Sequence, residues 1–239
     1  VPDIDADYML AQSLEGDFSS RFAVVNGIRL HYVVGGTGDP LVLLGGWPQT
    51  WWQFHKIMPI LARHYQVIAV DLRGMGASDK PASGYDKKTM AADIRGLLTY
   101  LGHASANVAG HDMGAAVAFA LAANYPRSVR RLALLDGTHP NATWYKIPLL
   151  PLPGAQTDAI QASSGGGYLW WFAFNQVRGL PEQLLAGRAR FLIDWMLDFL
   201  ISDPTSIGEA DRAIYAHAYD SPDAIRASNA WYQAVGNDI

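Results

Sequence analysis

Apolar positions in the first 136 residues fall into short dense runs separated by polar turns. Residues 22–25, 29–34, 41–44, 66–70, 107–109 and 132–135 have strand character. Leu41-Val42-Leu43-Leu44 is apolar at every position, as a strand buried on both faces requires. Asn26-Gly27, between the first two runs, is a two-residue hairpin signal. From Leu41 onward strands are followed by helical patterns, at 50–64, 89–101 and 115–124. An antiparallel start followed by β-α-β-α alternation predicts an α/β fold, a mostly parallel sheet with helices on both faces. After Asp136 the pattern changes. No strand is legible from 137 to 236, and helical stretches there carry Trp144, Trp170, Trp171, Trp195 and Trp231, five of the eight tryptophans. Pro148, Pro151 and Pro153 predict an irregular lead-in, and Ser163-Ser164-Gly165-Gly166-Gly167 a flexible break between helices. The expected organisation is a sheet region over 1–136 and a helical layer over 137–239, without internal repeats.

Composition narrows the partners. Half of the 239 residues are hydrophobic and 17% are charged, so the chain can bury a sizeable core and is not a disordered segment. Lys plus Arg is 18 against 22 Asp plus Glu, a net charge of −4 without a basic run, so nucleic acid is not an expected partner. No apolar run approaches the ~20 residues of a membrane helix. The start, Val1-Pro2-Asp3-Ile4-Asp5-Ala6-Asp7, is acidic where a signal peptide is basic, and without Met it reads as processed or trimmed. A cytoplasmic location without membrane contact is expected. With no cysteine there is no disulfide or thiolate site, and no His/Asp/Glu group has ligand spacing, so neither metal nor cofactor is expected. Gly35-Gly36-Thr37-Gly38 leads into a strand rather than a helix, which makes it a turn and not a phosphate loop.

Three segments carry candidate chemistry. Gly110-His111-Asp112-Met113-Gly114 stands between a buried strand and a helix. Small residues on both sides of a central nucleophile type, at a strand-to-helix turn, form a nucleophile elbow; here the central residue is a carboxylate. The competing role for Asp112 is a plain helix N-cap. Gly45-Gly46-Trp47-Pro48 follows another strand and turns sharply, so its backbone N–H groups can face a developing oxyanion; the competing role is an ordinary connection with Trp51 and Trp52 as core. The third segment, Asp71-Leu72-Arg73-Gly74-Met75-Gly76, also ends a strand, and its Arg73 suits bracing by ion pairing better than chemistry.

In this order and spacing the three motifs resemble the α/β-hydrolase superfamily, and Asp rather than Ser at position 112 resembles its epoxide hydrolase and haloalkane dehalogenase branch. The resemblance runs from about Phe22 to the end. It implies an α/β-hydrolase core with a helical cap domain at 137–239. Met113 stands where haloalkane dehalogenases carry a halide-binding Trp and fluoroacetate dehalogenases an Arg, which leaves the epoxide hydrolase pattern. By that resemblance Asp112 attacks an epoxide carbon to give an alkyl-enzyme ester. The backbone N–H groups of Trp47 and Met113 form the oxyanion hole. Tyr232, in Trp231-Tyr232-Gln233, is the cap phenol that protonates the epoxide oxygen. Trp171 falls at the first donor position and Tyr232 at the second; the alternative for Trp171 is cap packing or an aromatic wall. Trp170, Trp47, Pro48 and His139 are expected to line the substrate, a small hydrophobic epoxide, bulky and aromatic by the cap's tryptophan density.

Two departures accompany the resemblance. The family's His-Gly-x-Pro is Gly45-Gly46-Trp47-Pro48 here, which removes a supporting side chain. The family's catalytic His and its acidic partner follow the cap, whereas this chain stops at Ile239. Of the seven histidines only His139 follows a strand near the right sheet edge. The expectation is therefore that the last strands and the base lie on a C-terminal remainder carried as a separate polypeptide. The alternatives are a non-catalytic ligand-binding protein and a related dehalogenase or natural-product-modifying hydrolase. A homodimer stays open as an assembly.

Overall fold

The computed structural model describes residues 4–137, 139–147, 149 and 169–239. The proline lead-in at 148–153 and the glycine break at 163–167 lie outside these, apart from residue 149. Contacts divide the chain into two compact units: Val1–His139 with Asp238, and Pro140–Asn237 with Ile239.

The first unit is built on a six-stranded sheet of order β1-β2-β4-β3-β5-β6. Strands β1 (Phe18–Val25) and β2 (Ile28–Gly35) form the antiparallel hairpin, with Asn26 and Gly27 at φ 48° and 78°, the left-handed pair that a tight two-residue turn requires. β2 also pairs antiparallel with β4 (Tyr65–Val70). The remaining pairings are parallel: β3 (Asp39–Leu44) with β4 and with β5 (Ala106–His111), and β5 with β6 (Val129–Leu135). Val42, Leu43 and Leu44 are all buried, as are Val67 to Val70, so consecutive side chains on opposite faces of these central strands are covered. β6 is different. It forms an edge of the sheet, and its Leu134 and Leu135 are 40% and 49% exposed although they are as apolar as the central strands.

Among the described residues this unit has the helices α1 (Ile4–Gln12), α2 (Met58–Leu61), α3 (Lys87–Tyr100) and α4 (Met113–Asn124). The long helix expected at 50–64 is not continuous. A 3-10 turn over Trp51–Phe54, capped by the Thr50 side chain, gives way at His55 to turn residues before α2 begins. Pro59 lacks an N–H and fits only the first turn of a helix, so the chain restarts there. α3 begins where Asp86 accepts a hydrogen bond from Thr89 N at 2.8 Å. In the loop after β4, Arg73 forms a two-pronged ion pair with Asp93 of α3, both bonds 2.6 Å and both side chains buried.

The described part of the second unit contains helices and no strand. They are α5 (Trp170–Phe174), α6 (Leu180–Leu185), α7 (Ala189–Leu200), α8 (Glu209–Ala218) and α9 (Pro222–Gln233), followed by the short α10 (Val235–Asp238). Edge-to-face rings knit α5 to α7: Trp170 against Trp195 at 5.2 Å, and Trp171 against Phe199 at 6.2 Å. Phe172 meets Tyr232 of α9 edge-on at 5.1 Å, and the Gln176 side chain donates to Tyr232 O at 2.8 Å. Arg212 of α8 reaches Asp194 and Asp198 of α7. Among the described residues no helix is long and apolar enough to cross a membrane.

Candidate active site

The parallel strands β3, β4 and β5 end in register, so the loops that follow them emerge side by side. β5 runs into α4 with one residue between them, and that residue is Asp112. Its backbone sits at φ 53°, ψ −122°, a sparsely populated region for a residue with a Cβ, worth about 1–3 kcal/mol of strain. The glycine frame explains how the turn closes. A Cβ on Gly110 would lie 2.7 Å from Ala115 Cα, and one on Gly114 would lie 2.6 Å from Gly45 O. Both obstacles are backbone, so neither position admits a side chain without moving a strand or a helix.

The Asp112 side chain does not cap α4 in the usual way: no side-chain cap hydrogen bond is formed. Its Oδ1 instead accepts from Trp47 N at 2.9 Å, and Met113 N also hydrogen-bonds the carboxylate. The sequence-expected oxyanion donors and the elbow carboxylate therefore do converge. Gly46 makes room for this, because a Cβ there would lie 2.7 Å from Asp112 Oδ1. Burial pushes the Asp112 carboxyl above its ordinary value; the Met113 and Trp47 N–H groups and His111 pull it down, and Asp136 pushes it up. A carboxylate with Oδ1 fixed by the Trp47 N–H can attack an electrophile through its other oxygen.

The remaining expected residues are placed as follows. Trp47 and Pro48 are buried and joined by a cis peptide bond. His139, after β6, packs against Phe119 of α4 with ring centroids 5.0 Å apart. In the helical unit Tyr232 and Trp171 are buried, and Trp171 packs edge-on against Phe199. Trp170 is half-buried, and its indole N–H has no hydrogen-bond acceptor among the described residues.

Some polar groups were not legible as a set in the sequence. Asp7, His31 and Asp71 come together from three separate segments. Their atoms are engaged in bracing: His31 Nδ1 meets Asp71 Oδ2 at 2.7 Å, Trp51 N donates to Asp71 Oδ1, and Trp51 Nε1 donates to Asp7. Burial works against the His31 imidazolium, but the Asp71 and Asp7 carboxylates outweigh it and hold His31 above its ordinary value. Lys87, wholly buried, pairs with Asp238 at 3.2 Å. Burial pushes its ammonium down against the pull of Asp238, Asp86 and Asp112, so Asp112 has a buried cation within electrostatic reach. Gln53 joins Gly46 N to His111 across the base of the turn. Only its position, seven residues after Gly46 and inside an aromatic cluster, hinted at that role.

A mostly parallel sheet with a strained residue on a strand-to-helix elbow, faced by backbone donors from a neighbouring loop, defines the α/β-hydrolase class. Residues 39–175 match the family described as alpha/beta hydrolase fold, and the chain belongs to that family. It is 39% identical over 217 residues to a soluble epoxide hydrolase of Corynebacterium sp. (strain C12), covering 88% of this chain and 70% of that protein. Among solved structures it resembles wild-type Cfl2 of Burkholderia cenocepacia, with a TM-score of 0.79 and 40% identity over 93% of this chain and 72% of that one. It also resembles the ligand-free epoxide hydrolase CorEH, with a TM-score of 0.72 and 33% identity over 91% of this chain and 73% of the other. The epoxide hydrolase branch reached from the motifs agrees with these relatives.

Proposed function

We propose that this chain carries the nucleophile of an epoxide hydrolase, with Asp112 as the attacking group. The observation that carries the reading is the Asp112 carboxylate, strained on its elbow with Oδ1 held by Trp47 N. Epoxide hydrolase relatives at 33–39% identity support the substrate class. In the first step the other carboxylate oxygen attacks an epoxide carbon, the ring C–O bond breaks, and the new alkoxide takes a proton. Oδ1, already facing the Trp47 N–H, becomes the ester carbonyl oxygen. That donor therefore needs no rearrangement when negative charge develops there in the second step. That step adds water at Cγ, expels the diol and restores the carboxylate.

The helical unit acts as the cap in this reading. Tyr232 supplies the proton, since a phenol can release one and an indole serves only as a hydrogen-bond donor. Trp171 polarises the epoxide oxygen. Trp170, whose indole N–H has no acceptor among the described residues, lines the substrate together with Trp47, Pro48 and His139. The substrate is a bulky aromatic epoxide, a preference supported by the rings of α5 and α7. The exposed apolar edge of β6 suits pairing with a further strand, because such an edge is otherwise an aggregation hazard. The role of water-activating base is assigned to none of the described residues.

The test is to incubate the purified chain with a polycyclic aromatic epoxide and, separately, with a short aliphatic one, and to measure intact mass before and after proteolysis. The expected result is one epoxide added per chain, on the peptide that contains Asp112, and faster addition of the aromatic compound. An adduct elsewhere, or none with either epoxide, overturns the assignment of Asp112. Faster addition of the aliphatic compound overturns the aromatic preference alone.

A further inference from the structure

The geometry points to Gln53 as a positioning residue that sets the aim of the Trp47 N–H donor at Asp112. Gly46 N–H can only donate, so the atom facing it at 3.0 Å must be the amide oxygen of Gln53. The amide nitrogen then faces His111 Nδ1 at 3.4 Å and can only donate, which fixes Nδ1 as an acceptor. Gly46 precedes Trp47, whose N–H holds Asp112 Oδ1, and His111 precedes Asp112 itself. One amide thus spans the residue before the donor and the residue before the acceptor. It ties the turn after β3 to the end of β5.

The same side chain accounts for the glycine at position 45. A Cβ there would lie 2.9 Å from Gln53 Oε1 and 3.2 Å from Gln53 Cδ, while the third neighbour, Thr50 O, is at an ordinary 3.5 Å. The space a side chain on residue 45 would take is therefore filled from the 3-10 turn by the Gln53 amide. Gly45 and Gln53 are coupled: either residue 45 carries a side chain or residue 53 reaches the turn. As a statement about packing this stands alone; as a statement about catalysis it rests on Asp112 being the nucleophile.

A cycle of Gly45→Ala, Gln53→Ala and the double variant tests both. Thermal unfolding of the four proteins is expected to show a clear drop in midpoint for Gly45→Ala when Gln53 is present. The same change should cost less than half as much when residue 53 is alanine, because the obstructing amide is gone. Trapping of the aromatic epoxide is expected to slow roughly tenfold in Gln53→Ala at saturating epoxide, the scale of one lost hydrogen bond. The half-saturating concentration is expected to stay within about twofold, since the amide aims the carboxylate for attack and does not itself touch the epoxide. Gln53→Met keeps the bulk and loses both polar ends; the same rate loss is expected of it, and it replaces the alanine variant should that not fold. An unchanged trapping rate in the Gln53 variants overturns the positioning role, and an equal Gly45→Ala cost in both backgrounds overturns the packing. If the wild type forms no adduct, the Asp112 assignment fails by itself, and the unfolding cycle still decides whether Gln53 braces the turn.

Discussion

Asp112→Asn separates charge and nucleophilicity from shape at the elbow. The amide is nearly isosteric, and its oxygen can still accept from Trp47 N, so the turn should keep its form. The remaining atom is an amide nitrogen, which is no nucleophile. Covalent trapping of epoxide should fall by at least on the order of 10⁴, the scale seen when a nucleophile is removed and only binding and donors remain. Stability should move the other way. Burial holds the folded-state Asp112 carboxyl above its unfolded value, so the wild type is favoured while that group is protonated and loses stability as pH rises through the folded value. The asparagine variant has no such loss. It should match the wild type in acid and exceed it at neutral pH, by about 1.4 kcal/mol for each unit separating the folded and unfolded values. The wild-type trapping rate should rise through the same pH, because only the carboxylate attacks. Urea unfolding across pH and single-turnover trapping read these two curves independently. A variant less stable than the wild type at neutral pH, or one that still forms the adduct, would refute the reasoning.

Arg73→Met should cost about 3–5 kcal/mol in urea unfolding, because it strands the buried Asp93 beside only Asn26. Burial already pushes Asp93 up in the native protein, so that cost should shrink in acid, where the stranded carboxyl takes a proton. Tyr232→Phe should slow ring opening while leaving epoxide affinity nearly intact; unchanged turnover in a single-turnover assay would remove Tyr232 from the acid role. The His31–Asp71 pairing should stabilise the fold below the unfolded His value and fade as pH rises through the raised folded value. His31→Gln should flatten that decline, which pH-resolved thermal unfolding can follow.

Much of the framework was legible because its causes are local. The Asn26-Gly27 turn, the buried runs of β3 and β4, and the glycines around Asp112 each state a steric requirement within a few residues. The interruption between Trp51–Phe54 and α2 was less legible: residues 50–64 carry enough apolar positions for one helix, and the restart at Pro59 becomes visible only once both pieces are placed. β6 was legible as a strand but not as an edge, since Leu132, Leu134 and Leu135 look the same in sequence whether or not a neighbour covers them.

The sequence by itself determined that a carboxylate stands on an elbow, because a turn that tight admits only glycine where backbone meets backbone at positions 110 and 114. It also determined which loops follow the strands and so which could reach that carboxylate. Only the tertiary structure decided what holds those loops. The Asp112–Trp47 bond spans 65 residues, His31–Asp71 spans 40 and Gln53–His111 spans 58. No local pattern encodes such distances. They exist because strand order in the sheet brings segments together that the chain keeps apart, and there the absent side chain at Gly45 and the amide of Gln53 become one feature.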